Sequence, residues 1–150
     1  MSIELDKISK MDREEFFRSF IDTLLWTEKD EASDESDRSL SENYGIEDIA
    51  PQVIEGLKEQ CNRFIDENSE TLLRVGQGGY DFSQAGHDFC LSRNGHGAGF
   101  FDRGLEDDGD ALQKAAESAR PADAYTGDDG IIYVGGLELY GQQSKSPKLG

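Results

Sequence analysis

The chain is poor in cysteine, histidine, proline and tryptophan. Its 150 residues include two cysteines, two histidines, three prolines and one tryptophan. Cys61 and Cys90 are too few for a disulfide framework, and their spacing matches no zinc signature. A zinc site needs three or four nitrogen or sulfur ligands, which two histidines do not supply. The sequence therefore predicts no metal, no cofactor and a reduced, cytoplasmic setting.

Long apolar runs are missing as well. No window approaches 18 consecutive apolar residues, so no membrane-spanning helix is predicted. The N-terminal sequence MSIELDKISK has no apolar stretch of the kind found in a signal peptide, so no secretion signal is expected.

Basic residues are scarce relative to acidic ones. Lysine and arginine total 15 against 32 aspartates and glutamates, which gives a net charge of −17. Such a chain repels nucleic acid and anionic membranes, so we expect no direct binding to either. It favours a partner protein with a basic surface, such as a protein that binds DNA or RNA. The alternative is that the acidity only keeps the protein soluble. The oligomeric state stays open.

The N-terminal half is typical of helices. Residues 11–26 carry apolar side chains at helical spacing, which predicts one buried stripe. Its members are Phe16, Phe17, Phe20, Ile21, Leu24 and Leu25. Residues 50–75 predict a second helical region that starts near Pro51 and breaks around 66–70.

The C-terminal half changes character as glycine becomes frequent. Short strands are predicted at Tyr80–Ser83, Ala124–Tyr125 and Ile131–Val134, and a helix at 108–119. Gly127-Asp128-Asp129-Gly130 is a turn signal between the last two strands. The predicted fold is α+β in a single domain, with N-terminal helices packed on a small antiparallel sheet and a short helix between two hairpins. Residues 141–150 are predicted to be frayed.

The acidic residues supply a first candidate site. The serine-rich stretch 30–45 is predicted to be a surface loop, and carboxylates are dense from 30 to 48. We interpret these side chains, with three from the first helix, as a candidate partner-binding surface; the alternative is a solvated linker. The residues are Asp30, Glu31, Asp34, Glu35, Asp37, Glu42, Glu47, Asp48, Glu14, Glu15 and Asp22.

The segment 85–104 supplies a second candidate site. It reads AGHDFCLSRNGHGAGFFDRG and contains both histidines. Asn94-Gly95 favours a two-residue hairpin turn, which would place Arg93 opposite His96 and His87 opposite Asp102. The His87–Asp102 pair could be a general base with its orienting carboxylate. The more frequent role of such a pair is structural, fixing strand register, and no catalytic residue is assigned.

The same segment resembles a known family. GHDFCLSRNGHGAGFFDRG (86–104), followed by a short helix and YTGDDGIIYV (125–134), is similar to small acidic proteins of bacteriophages and plasmids. IEDIAPQVIEGLKEQCNRFI (46–65) is similar to them as well. Family members usually have tryptophan at the position of Cys90 and often at Phe101. The resemblance implies a genetic context inside a host cell and carries no activity.

Charge and resemblance together give the functional expectation. Seventeen charges match about 29 Å of DNA duplex, or roughly nine base pairs. The sequence favours an acidic binding protein of a phage or mobile element. Its expected role is that of a DNA mimic that inhibits a host nucleic-acid-binding or defence protein. An enzyme is not expected. The alternatives are a small phage accessory protein, or an enzyme or ligand-binding module built on His87, Asp102, Arg93, Asn94 and His96.

Overall fold

The computed structural model describes residues 8–29 and 38–137. This part of the chain has five α-helices, three short 3₁₀ turns and one two-stranded antiparallel sheet, so the α+β class is confirmed. The helices are α1 (Lys10–Thr27), α2 (Pro51–Glu67), α3 (Ser69–Gln77), α4 (Phe82–Arg93) and α5 (Asp107–Glu117), and the strands are β1 (Asp123–Thr126) and β2 (Ile132–Gly135). None of the described helices is long and apolar enough to cross a membrane.

Helix α1 supplies one wall of the core. It begins after Ser9, whose hydroxyl accepts from the backbone N–H of Asp12 at 3.0 Å, while the Asp12 carboxylate accepts from the Ser9 N–H. This reciprocal cap satisfies N–H groups that have no partner within the helix. All six residues of the predicted apolar stripe are buried, so that prediction is confirmed.

The predicted helical region 50–75 is two helices. Pro51 occupies the first turn of α2, where its missing N–H costs no hydrogen bond. Asn68 ends α2, and its side chain donates to the carbonyl of Phe64 at 2.8 Å. α3 follows directly at Ser69, so the predicted break is confirmed.

The C-terminal hairpin is also confirmed. Ala124 pairs with Val134 and Thr126 with Ile132 in an antiparallel register. Across the turn, the Gly127 N–H donates to the Ile131 carbonyl at 2.8 Å. Ile132 is fully buried, and its carbonyl accepts from Ala50 at 3.0 Å, which ties the hairpin to the start of α2.

The other predicted hairpin is wrong. Residues 82–93 form α4, so neither the strand at Tyr80–Ser83 nor the pairing across Asn94-Gly95 exists. Asn94 is the C-cap and Gly95 follows with φ of 69°. His96 donates to Leu91 and Gly95 donates to Ser92, which is the hydrogen-bond pattern of a Schellman motif. The Asn-Gly sequence is compatible with both a helix end and a hairpin turn, because glycine adopts positive φ readily in either.

Helix α4 lies at the centre of the core. The Phe89 ring stacks on Phe64 with centroids 4.2 Å apart and lies 5.7 Å from Phe16 and 5.5 Å from Phe20. Gly86 faces the backbone of Phe16 so closely that α1 and α4 meet without an intervening side chain. The two helices are thereby held in direct contact, and side chains from both segments line a common groove.

Candidate partner-binding groove

The predicted cross-strand pair of His87 and Asp102 is wrong, because neither residue lies on a strand. His87 is in the middle of α4, where its Nδ1 is 2.7 Å from the hydroxyl of Thr23 on α1. Asp102 lies in the 3₁₀ turn Phe100–Asp102 and accepts from the Gly99 N–H at 3.2 Å. The predicted Arg93–His96 pairing is wrong as well, since Arg93 is buried within α4 and His96 is exposed beyond its end.

An ion pair within segment 85–104 joins Asp88 and Arg103. The Asp88 side chain is 2% exposed and accepts from Nε and Nη2 of Arg103 at 2.8–3.1 Å. The Tyr80 hydroxyl also donates to Asp88. Burial and this hydrogen bond hold the pKa of the Tyr80 phenol well above its ordinary value. The three side chains connect the start of α4 to the segment after the 3₁₀ turn, so their role is structural.

Arg93 and Asn94 make further structural contacts. The Arg93 guanidinium donates to the carbonyls of Arg120 and Ala119 and to the Gln60 side chain, at 2.8–3.1 Å. The Asn94 Oδ1 accepts from the Ala122 N–H at 2.7 Å. These bonds satisfy backbone groups between α5 and the hairpin, and they use the polar atoms that a ligand-binding module would need.

The structure describes six of the eleven residues of the predicted acidic surface. Asp30, Glu31, Asp34, Glu35 and Asp37 lie outside the described residues. Glu42 pairs with Arg38 at 2.9 Å, and Asp48 accepts from the Gly45 N–H at 2.9 Å, so both have local partners. Glu47 is exposed.

Glu14, Glu15 and Asp22 of α1 do come together in one groove. This α1–α4 groove has a volume of about 640 Å³ and runs along α1 beside the start of α4. Among the described residues its lining includes four carboxylates and one cation; it is formed by Met11, Glu14, Glu15, Arg18, Ser19, Asp22, Asp81 and Ser83. Most of these side chains are exposed, so the groove is open to a macromolecule.

A second cavity of about 440 Å³ continues the groove toward the end of α1. It shares Ser19 and Ser83 with the groove and adds Gln84, His87, Asp88 and Arg103. Beside it, the Trp26 ring stacks on His87 at 27° with centroids 6.3 Å apart. Trp26 is 59% exposed. Large exposed aromatic side chains of this kind are enriched in protein interfaces.

Sequence reasoning missed Asp81 and Trp26 as members of this surface. Asp81 caps α4 by accepting from the Gln84 N–H at 2.8 Å, and the Gln84 side chain accepts from the Asp81 N–H. The spacing Asp-x-x-Gln before an apolar segment is a capping-box signal that could have identified the helix and this carboxylate. The signal for Trp26 was its position one turn after Asp22 on a predicted amphipathic helix.

Neither a reactive thiol nor a group of metal ligands is present among the described residues. Both cysteines are buried, and burial raises the pKa of the Cys90 thiol to about 12 and that of Cys61 further. A thiol with so high a pKa is not a nucleophile at neutral pH. Among the described residues, no three histidine, cysteine or carboxylate side chains are grouped to hold a metal ion.

Comparisons with known proteins give no relative to which the groove can be matched. No family model, no curated protein and no solved structure matches the chain.

Proposed function

We propose that this protein is an acidic binding protein of a phage or mobile element that occupies the basic surface of a host nucleic-acid-binding or defence protein. The α1–α4 groove is the contact surface in this proposal. The observation that carries it is an open groove in which, among the described residues, four carboxylates surround one cation, Arg18; the carboxylates belong to Glu14, Glu15, Asp22 and Asp81.

The electrostatics of the whole chain support the same function. A net charge of −17 on 150 residues attracts a basic partner over distances comparable to the Debye length, about 8 Å at physiological salt. Successive carboxylates on a helix face recur every 5–6 Å or so. This spacing lets arginines and lysines that normally contact phosphates contact carboxylates instead.

Apolar side chains at both ends of the surface support binding to protein. Met11 is 68% exposed and Trp26 is 59% exposed, and they flank the carboxylates along α1. Charged groups accelerate and orient association, whereas buried aromatic anchors supply most of the affinity in protein complexes.

The proposal is tested by quantitative affinity capture from nuclease-treated host lysate with two matched variants. The groove variant is Glu15→Gln/Asp22→Asn/Asp81→Asn, in which asparagine preserves the helix cap at position 81. The control variant is Glu55→Gln/Glu59→Gln/Glu70→Gln, whose glutamates are exposed on α2 and α3 outside the groove. Each variant removes three negative charges, which takes the net charge from −17 to −14.

We expect the wild type and the control variant to capture the same nucleic-acid-binding protein in similar amounts. The groove variant should capture at least about tenfold less of it, because each lost charged contact costs about 0.5–1 kcal/mol or more. The captured partner should be released from the wild type as the salt concentration rises, because salt screens the charges that hold the complex together. Equal capture by the two variants would refute the groove as the contact surface, and capture of no nucleic-acid-binding protein would refute the function.

A further inference from the structure

The end of α1 presents an indole ring that is supported on one side. Trp26 is the single tryptophan of the chain, and more than half of its side chain is exposed. One side of the ring rests on His87 of α4, in a stacked arrangement. A supported ring loses little conformational freedom on binding, which favours its use as a contact.

Thr23 fixes the orientation of His87. The Thr23 hydroxyl donates its one hydrogen to the Ser19 carbonyl at 2.8 Å, and its oxygen lies 2.7 Å from His87 Nδ1. This contact and the stacking of Trp26 hold the imidazole in one orientation, and the imidazole lines the second cavity.

Asp22 lies one helical turn before Trp26 on the same face of α1. Residues four apart on a helix have Cβ atoms about 5–6 Å apart, so one ligand can reach both side chains. Asp22 is exposed and lines the groove. Within the described residues, no hydrogen bond or ion pair engages its carboxylate.

We propose that Trp26, Asp22 and His87 form a receptor for an arginine side chain of the partner. The inference rests on the proposed function and names the chemical group that the groove recognises. A guanidinium can stack on the indole while its planar edge donates to a carboxylate. Lysine lacks the plane and is more strongly hydrated, so it fits this set of groups less well. Arginines are also the residues with which nucleic-acid-binding proteins contact phosphates and bases.

The test compares a hexa-arginine peptide with a hexa-lysine peptide of equal charge at low salt. The indole N–H of Trp26 gives one NMR resonance because the chain has one tryptophan. We expect hexa-arginine to shift this resonance and to bind about fivefold more tightly than hexa-lysine, as a cation–π contact of about 1 kcal/mol implies. Affinity is measured independently by the anisotropy of labelled peptides.

Three variants distinguish specific binding of arginine at this receptor from non-specific attraction of any basic peptide by the negative charge of the protein. Asp22→Asn and Trp26→Leu should each abolish the preference for arginine, whereas Glu59→Gln, which removes one charge on α2, should keep it. Asp22 and Trp26 are both exposed, so the variants should fold, and circular dichroism checks this. Equal affinity for the two peptides, or a preference that survives Trp26→Leu, overturns the receptor while leaving partner capture through the groove intact. Failure of both peptides to bind overturns the receptor together with the electrostatic basis of the proposed function.

Discussion

Replacing Arg103 with alanine is expected to lower the free energy of unfolding by about 3 kcal/mol. The substitution leaves the Asp88 carboxylate buried, with the Tyr80 hydroxyl as its remaining side-chain partner. Removing one member of a buried pair typically costs about 3–5 kcal/mol, because the other charge loses its compensation. The lower end applies since the Arg103 side chain is 36% exposed, so water can approach the vacated position.

Chemical denaturation of the variant measures this effect, and Arg74→Ala is its control. Arg74 also contacts an aspartate with two nitrogens, binding Asp108 at 3.0–3.1 Å, but its side chain is 57% exposed. Exposed pairs contribute little to stability, so the control should unfold close to the wild type. If the two variants lose equal stability, the Asp88–Arg103 pair is not the structural link described above.

Replacing Gly86 with alanine is expected to destabilise the protein by about 3 kcal/mol. A Cβ on Gly86 would overlap the carbonyl oxygen of Phe16 and lie 2.9 Å from its carbonyl carbon. Because the obstacle is backbone, no side-chain rotation relieves the overlap and α1 must move away from α4. Overpacking of this kind costs about 1–3 kcal/mol and occasionally more, and the separation of two helices places this case at the upper end.

The control for this prediction is Gly76→Ala in α3. A Cβ at Gly76 meets no atom within 4 Å, and alanine favours a helix over glycine by up to about 1 kcal/mol. Thermal unfolding should therefore show a higher midpoint for Gly76→Ala and a much lower one for Gly86→Ala. A Gly86→Ala protein as stable as the wild type would mean that the close approach of α1 and α4 is wrong.

Elements with one polar and one apolar face could be predicted from sequence. The stripe from Phe16 to Leu25 follows helical spacing because α1 is buried on one side. The hairpin 123–135 was predictable since Gly127 and Gly130 bracket a turn between short β-branched and aromatic segments.

Helix α4 could not be predicted in this way, because most of its surface is buried. Ala85, Gly86 and residues 88–93 are all buried, so polar and apolar side chains both point into the protein and helical periodicity disappears. Asp88 and Arg93 are tolerated inside because each has hydrogen-bond partners from distant parts of the chain. Such partners are set by tertiary contacts that local patterns do not contain.

The sequence could predict that the candidate site is acidic, but it could not predict where on the fold the site lies. Glu14, Glu15 and Asp22 were identified by exposure on an amphipathic helix, and they do line the groove. Asp81 joins them because Gly86 allows α4 to pack directly on α1, which is a long-range effect. The polar side chains of segment 85–104 instead stabilise the fold, since Asp88, Arg93, Asn94 and Arg103 form hydrogen bonds within the protein.

The proposed function requires this protein to take the place of nucleic acid on its partner. A competition experiment measures this: the partner recovered by capture is loaded with labelled duplex DNA, the protein is added, and bound DNA is followed by anisotropy. We expect the wild type and the Glu55/Glu59/Glu70 control to release the DNA, and the Glu15/Asp22/Asp81 groove variant to leave it bound. A stable complex that contains partner, DNA and this protein together would contradict it.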